Sequence, residues 1–309
     1  MNVDRRTMLK GALAGAATLL RPPRAEAAQT NTRLILLGTA GGPRPRRAPS
    51  APSQVIVVNG VAYLVDCGDG VARQLRAAGI AMAQLRHLFI THHHSDHNAD
   101  YGNIFLLAWA EFNAPVDAWG PPPLVRMTRL FQELNEFDIT TRTADEGRKP
   151  FAQLVRPHEI TRPGLVMQDA NVRVTAALVP HVPIEHAFAY RFDTADRSIV
   201  ISGDTARSDA LVTLARGADV LVHEALWVPA VDKIAASLPN STTLKKHIID
   251  SHTSVEDAGR VAQAAGVKTL VLSHFVPADD PAITDQMWFD AARAHFRGTI
   301  VVGKDLMDI

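Results

Sequence analysis

Thr91-His92-His93-His94-Ser95-Asp96-His97 is the stretch on which the reading of this chain turns. It follows directly on Arg86-His87-Leu88-Phe89-Ile90, a short run with the length and apolar content of a buried strand. In a loop leaving a strand, His92 and His94 can project to one side and converge on a first ion, while Asp96 and His97 turn toward a second. Imidazole and carboxylate suit zinc-like divalent cations, and protein ligands that leave a coordination position open admit a bound hydroxide. A His-rich surface tract is the bland alternative. It does not account for four ligand-type side chains at this spacing behind a strand.

Outward from the cluster, residues 33–38, 54–58 and 61–66 are apolar or alternating runs bounded by Gly, Pro and Asn, which predicts strands, with Asn59-Gly60 as a hairpin turn. Helical spacing over 70–79 ends at Gly79. In the second half, strand-like runs at 172–178, 187–192, 198–202, 219–223 and 269–273 accompany a helix at 254–266 with Ser254 as its N-cap. Such a mixture in both halves predicts an α/β fold of two sheets packed together with helices outside. Between the halves, 121–165 opens on Pro121-Pro122-Pro123 and holds an amphipathic helix from Leu124 to Glu136. It reads either as a connecting helix or, through Phe131 and Phe137, as a lid over the site or a homodimer contact.

The first 27 residues differ in composition. Arg5, Arg6 and Lys10 precede the short apolar run Gly11 to Leu20, and Ala25-Glu26-Ala27 offers a small-x-small cleavage site. Asp4-Arg5-Arg6-Thr7-Met8-Leu9-Lys10 resembles a twin-arginine signal, so the expectation is a precursor handed to that export machinery and a periplasmic or secreted domain over 28–309. The alternatives are a membrane anchor and a basic tail, but the run is too short to span a bilayer. Removing 1–27 takes away five basic and two acidic residues, so the formal charge moves from 0 to −3. That balance gives no electrostatic reason to expect nucleic-acid binding. A lone cysteine, Cys67, excludes an internal disulfide.

Taken together, the motifs resemble those of the metallo-β-lactamase-fold hydrolases over about residues 33 to 305. Besides the histidine cluster, Asp66 in Asp66-Cys67-Gly68-Asp69-Gly70 resembles the aspartate that supports the metal loop from behind. Asp204 in Ser202-Gly203-Asp204-Thr205 resembles the carboxylate bridging both ions, and His274 in Ser273-His274-Phe275 the last ligand of the second. The resemblance implies an αββα sandwich of two mixed sheets flanked by helices. One further histidine completes the first site; His181 and His186 both lie in the right interval, and His181, ahead of Val182-Pro183, fits the family segment better.

His223-Glu224-Ala225 and His252-Thr253-Ser254 narrow the resemblance to the branch holding ribonuclease Z and its arylsulfatase and phosphodiesterase relatives. In that branch these segments help protonate the leaving group, which makes His252 the candidate general acid, Glu224 its orienter and His223 a neighbour of the metal site. Both segments could instead be structural. The implied cofactor is two divalent ions, Zn2+ with Mn2+ or Fe2+ as alternatives, sharing Asp204 and a bridging hydroxide, with Asp96 both binding metal and orienting the nucleophile.

The expected substrate is a small-molecule phosphodiester or sulfate ester, with Trp109, Phe112, Trp227 and Phe275 read either as holding an apolar leaving group or equally as core. β-Lactamase, lactonase and ribonuclease Z-type RNA 3′-processing are the alternatives. Only 22 residues separate His181 from Asp204, which leaves no room for the substrate-clamping arm of ribonuclease Z relatives. A non-catalytic binding module conflicts with the filled set of metal positions.

Overall fold

The structure, a computed structural model, describes residues 32–238 and 240–309; the expected export segment at 1–27 lies outside the described residues. The first half runs β1 (Thr32–Gly38), β2 (Ser53–Val58), β3 (Val61–Val65), α1 (Val71–Ala77), β4 (Leu85–Phe89), α2 (Ser95–Asn98), α3 (Tyr101–Leu107), β5 (Val116–Gly120), α4 (Leu124–Leu134), α5 (Glu136–Glu146) and β6 (Val155–Glu159). The second runs β7 (Gly164–Gln168), β8 (Val172–Leu178), β9 (Phe188–Thr194), β10 (Ser198–Ile201), α6 (Asp209–Leu214), β11 (Val220–Leu226), α7 (Val231–Ser237), α8 (Leu244–Ser251), α9 (Val255–Ala265), β12 (Thr269–Val276), α10 (Asp285–Arg293), β13 (Thr299–Val302) and β14 (Met307–Asp308).

Two seven-stranded mixed sheets result, ordered β14-β1-β2-β3-β4-β5-β6 and β13-β12-β11-β10-β9-β8-β7. The series β3-β4-β5-β6 and β10-β11-β12-β13 are parallel, and β14-β1-β2-β3 and β7-β8-β9-β10 are antiparallel. Because side chains alternate along a strand, β2 buries Val55 and Val57 against the helices and Ile56 and Val58 against the other sheet. The layer between the sheets packs Leu36, Tyr63 and Phe89 against Val174, Phe188 and Phe192. Phe89 meets Phe192 edge-on at 5.2 Å between ring centres, and Phe89→Ala would cost about 3–5 kcal/mol. Helices α1, α3 and α4 cover the outer face of the first sheet, and α6, α9 and α10 that of the second. The αββα sandwich of two mixed sheets is therefore the architecture of this chain.

Local signals held where they were strong. Ser254 caps α9 by accepting a hydrogen bond from the Asp257 N–H, and Gly266 closes the helix in the left-handed region at φ 64°. The helix expected from Leu124 to Glu136 differs: α4 stops at Leu134, and a second helix, α5, starts at Glu136. At the junction the Asn135 side chain donates to the Phe131 carbonyl, a local bond that competes with continued helix. No helix of the described residues is long and apolar enough to cross a membrane.

Candidate metal centre and active site

The chemistry-bearing side chains gather where strands end. β4 delivers Thr91 to His97, the turn after β3 delivers Asp66, the turn after β10 Asp204, β11 Glu224, and β12 His274. His274 sits on a bulge: in the β11–β12 ladder Glu224 faces Ser273 and Ala225 faces Phe275, leaving His274 as the extra residue at φ 46°. A bulge re-aims a side chain that a regular strand would point elsewhere, and a strained left-handed residue is sustained only by its surroundings. Gly41 lies against that ring, and a Cβ there would stand 2.6 Å from it.

Four overlapping groups of ligand-type side chains follow among the described residues; two share the full motif set, a first cluster of His92, His94, His181 with Asp204 and a second of Asp96, His97, His274 with Asp204, and the other two bring in His247, His252 and Glu224. Asp204 offers one oxygen to each of these two clusters: Oδ2 lies 3.8 Å from His92 Nε2, and Oδ1 lies 3.3 Å from His97 Nε2 and 3.2 Å from His274 Nε2. His181, buried, belongs to the first cluster, whereas His186 belongs to neither and packs toward Phe188.

The donor set fits divalent cations. In a tetrahedral zinc site ligand nitrogens stand about 3.3 Å apart. Here His94 Nδ1 is 3.0 Å from His92 Nε2 and 3.1 Å from His181 Nε2, and His97 Nε2 is 3.3 Å from His274 Nε2. Asp204 Oδ1 is buried without a hydrogen-bond partner, an acceptor that an ion would satisfy.

Outer contacts set the tautomers. His181 Nδ1 donates to the Ser251 carbonyl at 2.9 Å and His97 Nδ1 to Asp66 Oδ2 at 2.8 Å, so each Nε2 is left with its lone pair inward. Asp66 also accepts from the Thr91 N–H at 2.8 Å and the Thr91 hydroxyl, which ties the cluster loop to β3. Burial holds His92, His94 and His181 below the ordinary imidazole range, His181 at about 4, which favours the neutral, ligating form. Burial opposes charge on Asp204, yet the His274 and His97 imidazoles keep its carboxyl well below the usual range. Asp96 is likewise opposed by burial and held low by His97 and His274; its Oδ2 accepts from the Gly42 N–H at 2.9 Å.

His252 caps the C-terminus of α8 beside the second cluster. Its Nδ1 donates to Glu224 Oε2 at 2.7 Å and stands 3.9 Å from Asp204 Oδ2. Burial pulls this imidazole down, but the Glu224 carboxylate outweighs it and raises the pKa to about 9. Glu224 itself is buried and accepts from the Thr205 N–H, next to Asp204.

Three sequence expectations require correction. His223 is in neither cluster: it alternates to the face opposite Glu224, and its Nδ1 donates to the Glu224 carbonyl. A cavity of about 240 Å3 opens over the metal cluster, and no residue of 121–165 lines it; Ile234, Leu238, Leu244, His247 and Ile248 on and around α7 and α8 do. Phe131, on which the lid reading leaned, packs toward Phe151. Trp109, Phe112, Trp227 and Phe275 are packed with hydrophobic neighbours and line no part of the cavity. His247, which the sequence reading missed, lies with its ring 5.7 Å from those of His94 and His181. Its one sequence signal is a position five residues ahead of His252.

Residues 32–256 match the family described as Anti-Pycsar protein Apyc1. The chain is 35% identical over 277 residues to a protein named ribonuclease Z from Mycobacterium bovis, covering 88% of this chain and 96% of that one. Among solved structures it is similar to the metallo-β-lactamase fold protein YhfI from Bacillus subtilis, with a TM-score of 0.66 at 18% identity over 90% of this chain and 99% of that one. The short form of human tRNase Z gives a TM-score of 0.64 at 22% identity, over 90% and 98%. The chain belongs to the metallo-β-lactamase-fold hydrolases, metal-dependent enzymes acting on ester bonds, and within them to the family described as Anti-Pycsar protein Apyc1.

Proposed function

We propose that the protein hydrolyses phosphodiesters of small molecules, and that its precursor leaves the cytoplasm by the twin-arginine route to work in the periplasm or outside the cell. The observation that carries the catalytic part is His252 between Glu224 and Asp204, an acid held at the edge of the metal cluster. Alkoxide and phenoxide leaving groups are poor, so a positioned proton donor contributes about 10²–10⁴-fold.

His92, His94, His181, Asp96, His97, His274 and the shared Asp204 would hold two divalent ions, zinc or alternatively manganese or iron. When bound, such ions supply acidified water as nucleophile and polarise an ester oxygen. Asp96, fixed by the Gly42 N–H, orients the attacking water. The water oxygen bonds to phosphorus and the bond to the leaving oxygen breaks. That oxygen takes the proton from His252, while Glu224 holds the ring in place. The ribonuclease Z name of the M. bovis relative supports a phosphodiester over a sulfate ester, lactone or β-lactam.

Zinc-loaded protein offered bis(4-nitrophenyl) phosphate, 4-nitrophenyl sulfate, a lactone and a β-lactam should turn over the diester fastest. Absence of turnover of every oxyester rejects the reading. RNA 3′-processing is the second reading, favoured by the extent of that 35% identity. Against it, the interval from His181 to Asp204 is taken up by the β9–β10 hairpin, and the chain as a whole carries no basic excess. Cleavage of a precursor transfer RNA at physiological salt decides between the two.

A further inference from the structure

We infer that Arg46 is a positioning residue for the second metal cluster: its guanidinium grips the Gly41–Gly42 peptide from one side, and the N–H of that same peptide holds Asp96 from the other. The placement rests on the metal-centre reading, and through Asp96 it bears on the diesterase reading.

Gly41 and Gly42 follow β1 and line the cavity over the cluster. The Gly41 N–H donates to the Phe275 carbonyl at 3.0 Å, which ties this turn to the residue after His274. Gly41 also lies against the His274 ring, and Gly42 binds Asp96, so two of the four side chains of the cluster meet this short backbone. Glycine suits the turn, since Gly42 stands at φ 87°.

Arg46 holds the turn from outside. Its Nη2 donates to the Gly41 carbonyl at 2.8 Å, and its Nη1 to the Gly42 carbonyl at 2.9 Å and the Arg44 carbonyl at 3.2 Å. The side chain is 8% exposed, with Asp279 Oδ2 3.6 Å from Nε as its counter-charge. A trans peptide is planar, so its C=O and N–H point in opposite directions. Because the Gly41 carbonyl faces the guanidinium, the Gly42 N–H of the same unit faces away from it and donates to Asp96 Oδ2 at 2.9 Å. A cation on the carbonyl also polarises the amide and strengthens its N–H as a donor. Three carbonyls at fixed angles suit a planar fork, which an ammonium of equal charge does not reproduce. The neighbouring arginines are placed differently: Arg44 pairs with Asp279 at 3.1 Å on the surface, and Arg47 is exposed.

Zinc titration of metal-free protein reads the inference without a substrate. Arg46→Ala should keep binding at the first cluster and weaken the second event about 10–100-fold, the scale on which an outer contact to a metal ligand acts. Ethylguanidinium at millimolar concentration should restore that event and ethylammonium should not, because Arg46 borders cavities of about 240 and 310 Å3 that admit a small cation. Arg46→Lys should also weaken the second event, and it carries the test if Arg46→Ala does not fold; Arg47→Ala should bind as wild type does. With bis(4-nitrophenyl) phosphate, Arg46→Ala should lose about tenfold or more in kcat with KM within about threefold, since Asp96 acts on the attacking water. Unchanged second-event affinity in Arg46→Ala, or in Arg46→Lys where that variant carries the test, overturns the inference whatever the rates. A loss that both additives restore equally, or neither restores, reduces Arg46 to a charge or to packing and overturns it as well. Loss with rescue by ethylguanidinium alone upholds it even where wild type hydrolyses no diester, the outcome that rejects only the diesterase reading.

Discussion

His252 Nδ1 lies 2.7 Å from Glu224 Oε2, and the same nitrogen is 3.9 Å from Asp204 Oδ2. One carboxylate thus holds the proton on the imidazole, while the other belongs to both metal clusters.

For the pH profile, the sign follows from role. A general acid works while protonated, so on the alkaline side kcat/KM should fall as pH rises through the His252 pKa. Burial lowers that pKa and Glu224 raises it, to about 9; bound cations nearby would move the limb downward. Glu224→Gln removes the raising charge and should shift the alkaline limb by at least about one unit to lower pH. A limb that does not move between wild type and Glu224→Gln removes His252 from the acid role.

Asp204→Ala takes away an oxygen from each cluster. Metal analysis after zinc reconstitution and dialysis should show at least one equivalent lost, with turnover down by about 10²-fold or more. In wild type, zinc should raise Tm and a chelator reverse it, because ions bind the folded state preferentially. Full metal content and full turnover in Asp204→Ala would refute the assignment.

Asp66 is buried at φ 58° and accepts from the Thr91 N–H, the Thr91 hydroxyl and His97 Nδ1. Asp66→Ala leaves those donors unsatisfied and should destabilise the fold by about 2–4 kcal/mol in urea titration. Zinc affinity should fall about 10–100-fold, since His97 loses the contact that sets its tautomer. Unchanged affinity would mean that the loop holds its shape without Asp66.

Away from the site, the Lys268 ammonium and hydrogen bonds from Ser198 outweigh burial and hold the Asp219 carboxyl at about 2. A depressed carboxyl stabilises the fold above its unfolded pKa of about 4, and that stability is lost as pH falls from there through about 2. Asp219→Asn should therefore show a flatter loss of stability between pH 4 and 2, by about 1 kcal/mol given the solvent-exposed Lys268. Parallel wild-type and variant curves across that window would contradict the pairing.

Leu107, Leu134 and Phe137 are 74%, 83% and 86% exposed, on α3, α4 and α5. We propose that a second copy of the chain covers Leu134 and Phe137, the oligomer contact expected of 121–165. Sedimentation equilibrium should give a dimer for wild type and a monomer for Leu134→Glu/Phe137→Glu. A wild-type monomer at tens of micromolar would end the proposal.

The sequence by itself determined the class of fold and most of the site. A buried strand feeding His92, His94, Asp96 and His97 is a local pattern, as are the alternating runs, the Ser254 cap and the Gly266 stop, because each depends on neighbours within a turn or a pleat. Family resemblance added Asp66, Asp204, Glu224 and His274, which the fold gathers toward strand ends, and His252, which it places at the end of α8.

Tertiary structure decided the rest. His181 rather than His186 reaches the first cluster because the Ser251 carbonyl, 70 residues away, takes its Nδ1 proton. His274 points inward because of a bulge set by strand β11. His223 points away because alternation on β11 gives the inner face to Glu224. The wall of the cavity comes from α7 and α8 rather than from 121–165, since the direction in which an amphipathic helix faces is set by what it packs on. Hydrophobic periodicity shows which side of an element is buried, and only the packed sheets settle what that side meets.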